Sequence, residues 1–361
     1  MTKILVLGGS GVSGRAVLRA LGRTLPEADL SYTARRPDPR IEAAYVHFDS
    51  ADRPDLSRRT LAGFDLALIC VGPFEHTLAS VHRLCLEAGL DCLDINDSID
   101  ARRAIVALGP AAERAGRTVL TGCGLCPGLS SLLLCAVADR DQVVGLRSQL
   151  LIGAKQEPGA ASLRSMFATL GQPHRVLRQG QETTRPSLVE RSDPAAATGP
   201  APYLIGYECP DLDRAPTIFP GLSDYDYRVC FAQLSADQVE GLARAKLLRR
   251  PRLGAGLARF AARVGRRRVE RTGAVAQEAV LTIELTDADG RTRTVGASGG
   301  SSYALTAVVA ATVCAAQVGG DLVPGPGVFE LVDRPESHPA LLAALADHGV
   351  RWEFGPDGGS A

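Results

Sequence analysis

The N-terminal segment restricts the fold of this chain more than any other part of it. Lys3–Leu7 is a short apolar run typical of a buried β-strand, and a glycine-rich stretch, 8–14, follows it directly. Gly9, Gly11 and Gly14 have the spacing G-x-G-x-x-G, and helix-forming residues come next. A strand, a tight glycine turn and a helix in this order place backbone N–H groups against a pyrophosphate. The sequence therefore predicts dinucleotide binding by Gly8, Gly9, Ser10, Gly11, Val12 and Gly14.

The end of the next predicted strand, Leu30–Ala34, indicates which dinucleotide binds. An enzyme that uses NAD carries an acidic residue there for the ribose 2′-hydroxyl, whereas this chain has Arg35 and Arg36. Two guanidinium groups suit a 2′-phosphate, which accepts charged, bidentate hydrogen bonds. The alternative is a solvated loop, since arginine supplies nearly all of the 40 basic residues. We predict that the cofactor is NADP(H).

The composition is that of an ordinary globular protein of about two domains. The chain has 361 residues, of which 45% are hydrophobic and 22% are charged. With 40 basic and 40 acidic side chains it lacks the basic excess of a nucleic-acid-binding protein. The apolar stretch Ala304–Val318 is shorter than a membrane span and predicts a buried helix. We therefore expect no nucleic-acid partner, no transmembrane segment and a cytoplasmic location.

The nine cysteines are irregularly spaced, which suggests reduced thiols. Cys123 and Cys126 have C-x-x-C spacing, but no second such pair or histidine pair completes a zinc site. We expect no metal.

Apolar runs alternate with helical segments through the first third of the chain, which is the pattern of a parallel sheet. The predicted fold class is α/β, with an N-terminal Rossmann doubly wound parallel sheet and an inserted α+β domain for substrate binding and dimerisation. The predicted domains are 1–126 (NADP binding), 127–300 (insert), 301–354 (return to the Rossmann domain) and 355–361 (flexible tail). Predicted elements include the strands Phe64–Val71, Asp91–Ile95, Thr118–Thr121 and Val143–Ile152, the helix Ala101–Ala115, and a hairpin over 279–296.

Several motifs occur in the order of a known family. They are the glycine loop, Val71-Gly72-Pro73-Phe74, Cys85–Asp94, Gly122–Gly128 and Pro326-Gly327-Val328. Together they resemble the saccharopine dehydrogenase (reductase) superfamily, which includes carboxynorspermidine dehydrogenase-like reductases. The resemblance implies an NAD(P)H-dependent oxidoreductase that reduces an imine to a secondary amine on an amino-acid-like substrate, and a homodimer formed by the insert. Several amine-forming relatives carry Asp where this chain has Cys126, so reduction of a carbonyl or of an activated double bond stays open.

Ligands of doubly wound sheets bind beyond the carboxyl ends of the strands. We therefore place the nicotinamide end of the cofactor at Val71, Gly72, Pro73 and Gly124. Asp94 and Asp97 are the predicted acid–base residues, and Phe74, His76, Asn96 and Cys126 are predicted to contact substrate. Asp94 and Asn96 are equally consistent with a turn or helix cap, and His76 with an ordinary residue at the start of a helix.

The insert contributes a polar aromatic cluster. Tyr225 and Tyr227 could donate a proton, and Arg228 could bind a substrate carboxylate. Their alternation also suits a strand with one face in the core.

A basic segment, 244–271, has eleven Arg or Lys residues, one acid and apolar residues between them. It is either a solvated helical face or a dock for an anionic partner: a phosphorylated substrate, an acidic carrier protein or a membrane surface. The carrier interpretation favours a carbonyl or enoyl reductase acting on a larger acyl substrate. A third hypothesis is a non-catalytic NADP sensor, against which the polar strand ends argue.

Overall fold

A computed structural model describes residues 1–48, 54–191, 201–245, 249–272, 277–322 and 325–355. The chain divides into two compact units, one of Met1–Leu132 with Tyr303–His348, the other of Leu133–Ser302 with Gly349–Ala361. The strands are β1 (Lys3–Leu7), β2 (Asp29–Ala34), β3 (Ala44–His47), β4 (Leu66–Ile69), β5 (Asp91–Asp94), β6 (Thr118–Leu120), β7 (Val143–Ile152), β8 (His174–Arg178), β9 (Gln181–Arg185), β10 (Val189–Arg191), β11 (Tyr203–Tyr207), β12 (Asp224–Phe231), β13 (Val280–Asp287), β14 (Thr292–Ser298), β15 (Gly327–Phe329) and β16 (Arg351–Phe354). The α-helices are α1 (Val12–Thr24), α2 (Pro54–Leu61), α3 (Phe74–Thr77), α4 (Ser80–Glu87), α5 (Ile99–Val106), α6 (Gly109–Ala115), α7 (Leu129–Cys135), α8 (Ala160–Thr169), α9 (Asp211–Ile218), α10 (Ala236–Arg244), α11 (Pro251–Thr272), α12 (Ser302–Gly319) and α13 (His338–Asp347).

The first unit is built on a parallel sheet. Its described strands are seven in number and lie in the order β15-β6-β5-β4-β1-β2-β3. All four residues of β4 are buried, and so are the last four of β1, because a doubly wound sheet is covered on both faces. In the register of this sheet Val6 lies beside Tyr32 and Leu68, so the carboxyl ends of β1, β2 and β4 form one edge. The predicted α/β class with an N-terminal Rossmann-type parallel sheet is confirmed.

The apolar stretch predicted as a buried helix is α12, in which eight residues from Leu305 to Cys314 are buried. By length and composition alone it is the one described helix that could cross a membrane, with a mean hydropathy of 1.5. The core helix of a globular domain passes the same test, so this is weak evidence for a span.

The second unit contains a mixed sheet of nine described strands. Its central strand is β7, which pairs in parallel with β12 and antiparallel with β13. β12 also pairs antiparallel with β11, and β13 and β14 form the hairpin predicted over 279–296. Seven of the eight residues of β12 are buried, so both of its faces are covered.

The chain leaves the first unit earlier than the sequence predicted. We expected 301–354 to return as a whole to the Rossmann domain, but Arg351–Phe354 is β16, which pairs with β14 in the second sheet. The alternation of Trp352 and Phe354 with charged residues suits an edge strand on either sheet, so the sequence alone does not choose between them. Of the predicted tail, residues 356–361 lie outside the described residues.

Candidate functional site

The glycine loop after β1 has little room for side chains, as Gly8 and Gly14 show. Gly8 has a φ of +81°, and a Cβ atom there would lie 3.1 Å from the carbonyl oxygen of Cys70. A Cβ atom at Gly14 would lie 2.4 Å from the carbonyl oxygen of Gly8, which is closer than atoms can approach. The Gly8 N–H donates to Thr33 Oγ1 at 3.0 Å, so the loop is tied to β2. These contacts hold the backbone of the loop close to the start of α1.

The N-terminus of α1 suits an anion. Its N-cap residue is Gly11, no side chain caps the helix, and the first turn contains no acidic residue. The N–H groups of the first turn and the positive end of the helix dipole can therefore serve a phosphate. This feature and the enclosed glycine backbone fit the pyrophosphate of a dinucleotide.

The end of β2 presents charge of both signs. Arg35 and Arg36 are exposed, and no ion pair joins either of them to another described residue. Sequence reasoning missed Asp38, whose two carboxylate oxygens accept from Nε and Nη2 of Arg40 at 2.9 and 2.7 Å. The Arg40 guanidinium lowers the pKa of Asp38 to about 2, while partial burial opposes the shift. Arg15 lies 4.0 Å from the same carboxylate, and its Nη1 also donates to the Ser10 carbonyl. Asp38 is thus engaged by protein cations, whereas Arg35 and Arg36 are available to a ligand.

Asp94, at the end of β5, is a buried structural residue. Its exposed fraction is 0%, and Nε2 of His82 lies 2.7 Å from its Oδ2. Its Oδ1 accepts from the backbone N–H groups of Asn96 and Gly122, at 2.8 and 2.9 Å. The carboxylate therefore joins α4, β5 and the loop after β6. The structure corrects the assignment of Asp94 as an acid–base residue, because a fully enclosed and fully bonded carboxylate cannot meet a substrate.

Replacing Asp94 by Ala should therefore act on stability. It would leave two backbone N–H groups and the His82 imidazole without their partner, which costs about 3–5 kcal/mol of unfolding free energy. Urea unfolding of the purified variant measures this loss. Asp347→Ala, at an exposed aspartate of α13, is the control and should change the value by less than about 0.5 kcal/mol. Equal stability of the two variants would contradict the structural role.

Two further predicted substrate contacts are also structural. The Asn96 side chain accepts from the N–H of Ser98 at 3.0 Å and donates to its carbonyl at 3.1 Å, and Ser98 in turn caps α5. Phe74 is 5% exposed and packs in the hydrophobic core of the first unit. The prediction that Asn96 and Phe74 contact substrate is therefore wrong. The amide of Asn96 is bonded to the backbone of its own turn and the ring of Phe74 lies in the core, so neither faces a ligand. The neighbouring His76 is exposed, and Val71, Gly72 and Pro73 are partly exposed, so these remain open to one.

Asp97 is exposed, whereas Asp94 is fully buried. The protein around the Asp97 carboxyl group and the nearby charges of Glu75 and Asp94 nevertheless raise its pKa to about 7. Exposure and a raised pKa together describe a carboxyl group that is crowded by protein but reachable by a solute.

Glu75 is the residue that sequence reasoning missed here. It lies on α3, which contacts α5, the helix that follows Asp97. Its Oε1 is buried and has no hydrogen-bond partner among the described residues. The negative charge of Glu75 makes ionisation of Asp97 less favourable and so contributes to the raised pKa of Asp97. The only sequence signal for Glu75 was its place beside His76.

The loop after β6 is closed on itself. The Gly124 N–H donates to the Pro127 carbonyl at 3.1 Å, so this amide is not available to a cofactor.

Burial raises the pKa of the Cys123 thiol well above its usual range, whereas Cys126 is partly exposed. All nine cysteines are unbridged, and no group of three or more potential ligands in the described part of the chain could hold a metal ion.

The polar aromatic cluster of the insert lies inside the second unit. Tyr225 is 1% exposed and Tyr227 is 5% exposed. Nη2 of Arg228 donates to Asp226 at 3.0 Å and Nη1 pairs with Glu190. Burial alone would lower the pKa of Arg228, but these two carboxylates reverse the effect and raise it. Arg228 is therefore corrected from a substrate clamp to an internal ion pair, and the two tyrosines from proton donors to residues of a buried strand.

The fold is similar to that of a solved structure. Apo saccharopine dehydrogenase (L-Glu forming) from Saccharomyces cerevisiae is 14% identical and has a TM-score of 0.66, over 98% of this chain and 100% of that chain. A mutant meso-DAPDH from Clostridium tetani E88, with DAP, is 13% identical with a TM-score of 0.46, over 94% and 96% of the two chains. An amine dehydrogenase from Mycobacterium smegmatis is 11% identical with a TM-score of 0.45, over 92% and 95%. No protein-family model and no curated protein sequence matches the chain. The first comparison confirms the resemblance predicted from sequence at the level of the fold.

Proposed function

We propose that this protein is an NADP(H)-dependent oxidoreductase that reduces an imine of an amino-acid-like substrate to a secondary amine. The observation that carries the proposal is one edge of the parallel sheet. There the enclosed glycine loop, the uncapped N-terminus of α1 and the two available arginines after β2 lie beside each other. The saccharopine dehydrogenase-like fold favours this chemistry over other uses of a dinucleotide-binding sheet.

Different residues of the first unit would bind different parts of the cofactor. The backbone of Gly8–Gly14 and the first turn of α1 would hold the pyrophosphate, and Arg35 and Arg36 would hold the ribose 2′-phosphate. Pro73, partly exposed beyond β4, would border the nicotinamide ribose. When bound, NADPH supplies the hydride.

The chain itself must supply a proton and control charge next to the imine. Asp97, with a pKa of about 7, is protonated in a large fraction of molecules at neutral pH and can donate that proton. In its ionised form the same carboxylate stabilises the positive charge of an iminium group. Glu75 acts as a positioning residue, because its charge adds to the effect of burial and helps to raise the pKa of Asp97.

One observation favours a second candidate, the reduction of a carbonyl or of an activated double bond. Cys126 stands where several amine-forming relatives carry Asp, so the loop after β6 offers no carboxylate to a substrate amine. The homodimer and the cytoplasmic location also stay predictions of this proposal.

Oxidation of NADPH by the purified protein distinguishes the two candidates. Oxo acids and aldehydes are supplied alone, and then together with amino acids. Imine reduction predicts turnover only when both partners are present, and a secondary amine in the mass spectrum of the products. Turnover with the carbonyl compound alone would support the second candidate. Enoyl compounds are supplied in a further reaction, and their turnover would also support the second candidate. Tight NADPH binding without turnover of any of these substrates would contradict both candidate functions.

A further inference from the structure

Helix α11 lies on the second unit with one face of small residues turned inward. Ala258 and Ala262 are buried, and a Cβ atom at Gly265 would lie 2.5 Å from Cγ of Pro158. The helix packs on α8. This close packing buries one face of α11 and leaves the other faces of the helix exposed on the second unit.

A second face of α11 is apolar and exposed. Leu253, Leu257, Phe260 and Val264 are spaced by four, three and four residues, so they form one row along the helix. Their exposed fractions are 39, 38, 66 and 49%. Four large apolar side chains in one row are more than scattered surface residues, and such rows mark interaction sites.

A third face carries positive charge. Arg252, Arg259, Arg263 and Arg266 form a row beside the apolar one, and Arg267, Arg268 and Arg271 follow near the end of the helix. The helix contains seven arginines and one acid, Glu270. One weak ion pair joins the helix to a residue outside it, between Arg266 and Glu157 at 3.9 Å. The positive charge of the helix is therefore largely uncompensated by the described residues.

We propose that α11 is a docking surface for an anionic lipid membrane, with its apolar row inserted at the interface and its arginines on the lipid phosphates. A basic helix with an adjacent apolar row is the pattern of helices that lie in the plane of a membrane surface. The inference goes beyond the proposed reaction and does not depend on it.

Charge and length favour a membrane over other occupants. A second copy of this chain would bring seven more arginines to the same face, and like charges repel. The arginines extend from 252 to 271, about 30 Å, and the apolar row from 253 to 264, about 18 Å. A membrane interface offers negative charge and apolar volume side by side along the whole of that length. Residues 246–248 of the basic segment lie outside the described residues.

Vesicle flotation tests the proposal with the full-length protein. Vesicles of equal parts phosphatidylcholine and phosphatidylglycerol should bind it, and vesicles of phosphatidylcholine alone should bind it far more weakly. Arg259→Gln/Arg263→Gln should weaken binding to the anionic vesicles by about thirtyfold, at about fivefold for each arginine near the surface. Leu257→Ser/Phe260→Ser should also release the protein. Arg83→Gln/Arg114→Gln removes the same charge from exposed positions on α4 and α6 and should bind as the wild type does.

Three results would overturn the proposal. The first is equal binding to both kinds of vesicle, and the second is an equal loss in the α11 and control variants. The third is absence of vesicle binding together with retention on an immobilised acidic acyl carrier protein, which would make α11 a protein dock. Thermal unfolding and NADPH titration of each variant check that the fold and the cofactor site are unchanged.

Discussion

Asp97→Asn should lower the turnover number by about 10²–10⁴-fold while the affinity for NADPH stays as in the wild type. Asparagine keeps the shape of the side chain but cannot donate a carboxylic proton or balance an iminium charge. Because Asp97 is exposed and no hydrogen bond joins its side chain to another residue in the described part of the chain, the fold should be unaffected. Steady-state kinetics on the substrate pair from the NADPH oxidation assay, with NADPH titration beside it, measure both quantities. Wild-type turnover in Asp97→Asn would contradict its catalytic role.

The pH profile of the reductive reaction separates this role from a structural one. Since Asp97 must be protonated to act as an acid, activity should fall as the pH rises above about 7. Glu75→Gln removes a negative neighbour, so the pKa of Asp97 should decrease and the inflection should move to lower pH. Histidine in general titrates in this range, so His76→Gln is the control and should leave the inflection in place. An inflection that follows His76 instead would assign the proton to the imidazole.

Arg35→Ala/Arg36→Ala should weaken NADPH binding about a hundredfold and change NADH binding little. Two charged hydrogen bonds to a phosphate contribute about 3 kcal/mol here, the lower end of their usual range, because both guanidinium groups are exposed. Arg83→Ala/Arg114→Ala carries the same charge change elsewhere on the first unit and serves as the control. Asp38→Asn tests the alternative that Asp38 binds an NAD ribose. If that variant lost NADH affinity while the arginine pair proved neutral, the cofactor would be NAD(H).

The elements predicted best from the sequence are those whose pattern is local. Lys3–Leu7 occurs as predicted, because a continuous apolar run bounded by turn residues specifies a buried strand. Val143–Ile152 also occurs as predicted, although the polar residues Arg147, Ser148 and Gln149 interrupt its apolar sequence. The predicted helix Ala101–Ala115 is divided into α5 and α6. Gly109-Pro110 starts the second helix there, and proline favours the first turn of a helix over its interior.

The site was predictable only as far as its position along the chain. Strand ends could be found from the pattern, and they indicated the glycine loop, Arg35 and Asp97 as candidates, which stay predictions. What separates Asp94 from Asp97 is not local, because the partners of Asp94 are His82 and Gly122, 12 and 28 residues away. Likewise Arg228 pairs with Glu190, 38 residues distant. Whether a polar side chain is available to a ligand or bonded within the fold depends on these tertiary contacts, which no spacing in the sequence encodes.

Calorimetric titration of the wild-type protein with NADPH and with NADH tests the central claim most directly. If the glycine loop binds a dinucleotide and Arg35 and Arg36 select its 2′-phosphate, both cofactors should bind. NADPH should bind about a hundredfold more tightly, which corresponds to about 3 kcal/mol of binding free energy. Equal affinities, tighter binding of NADH, or no binding of either cofactor would contradict it.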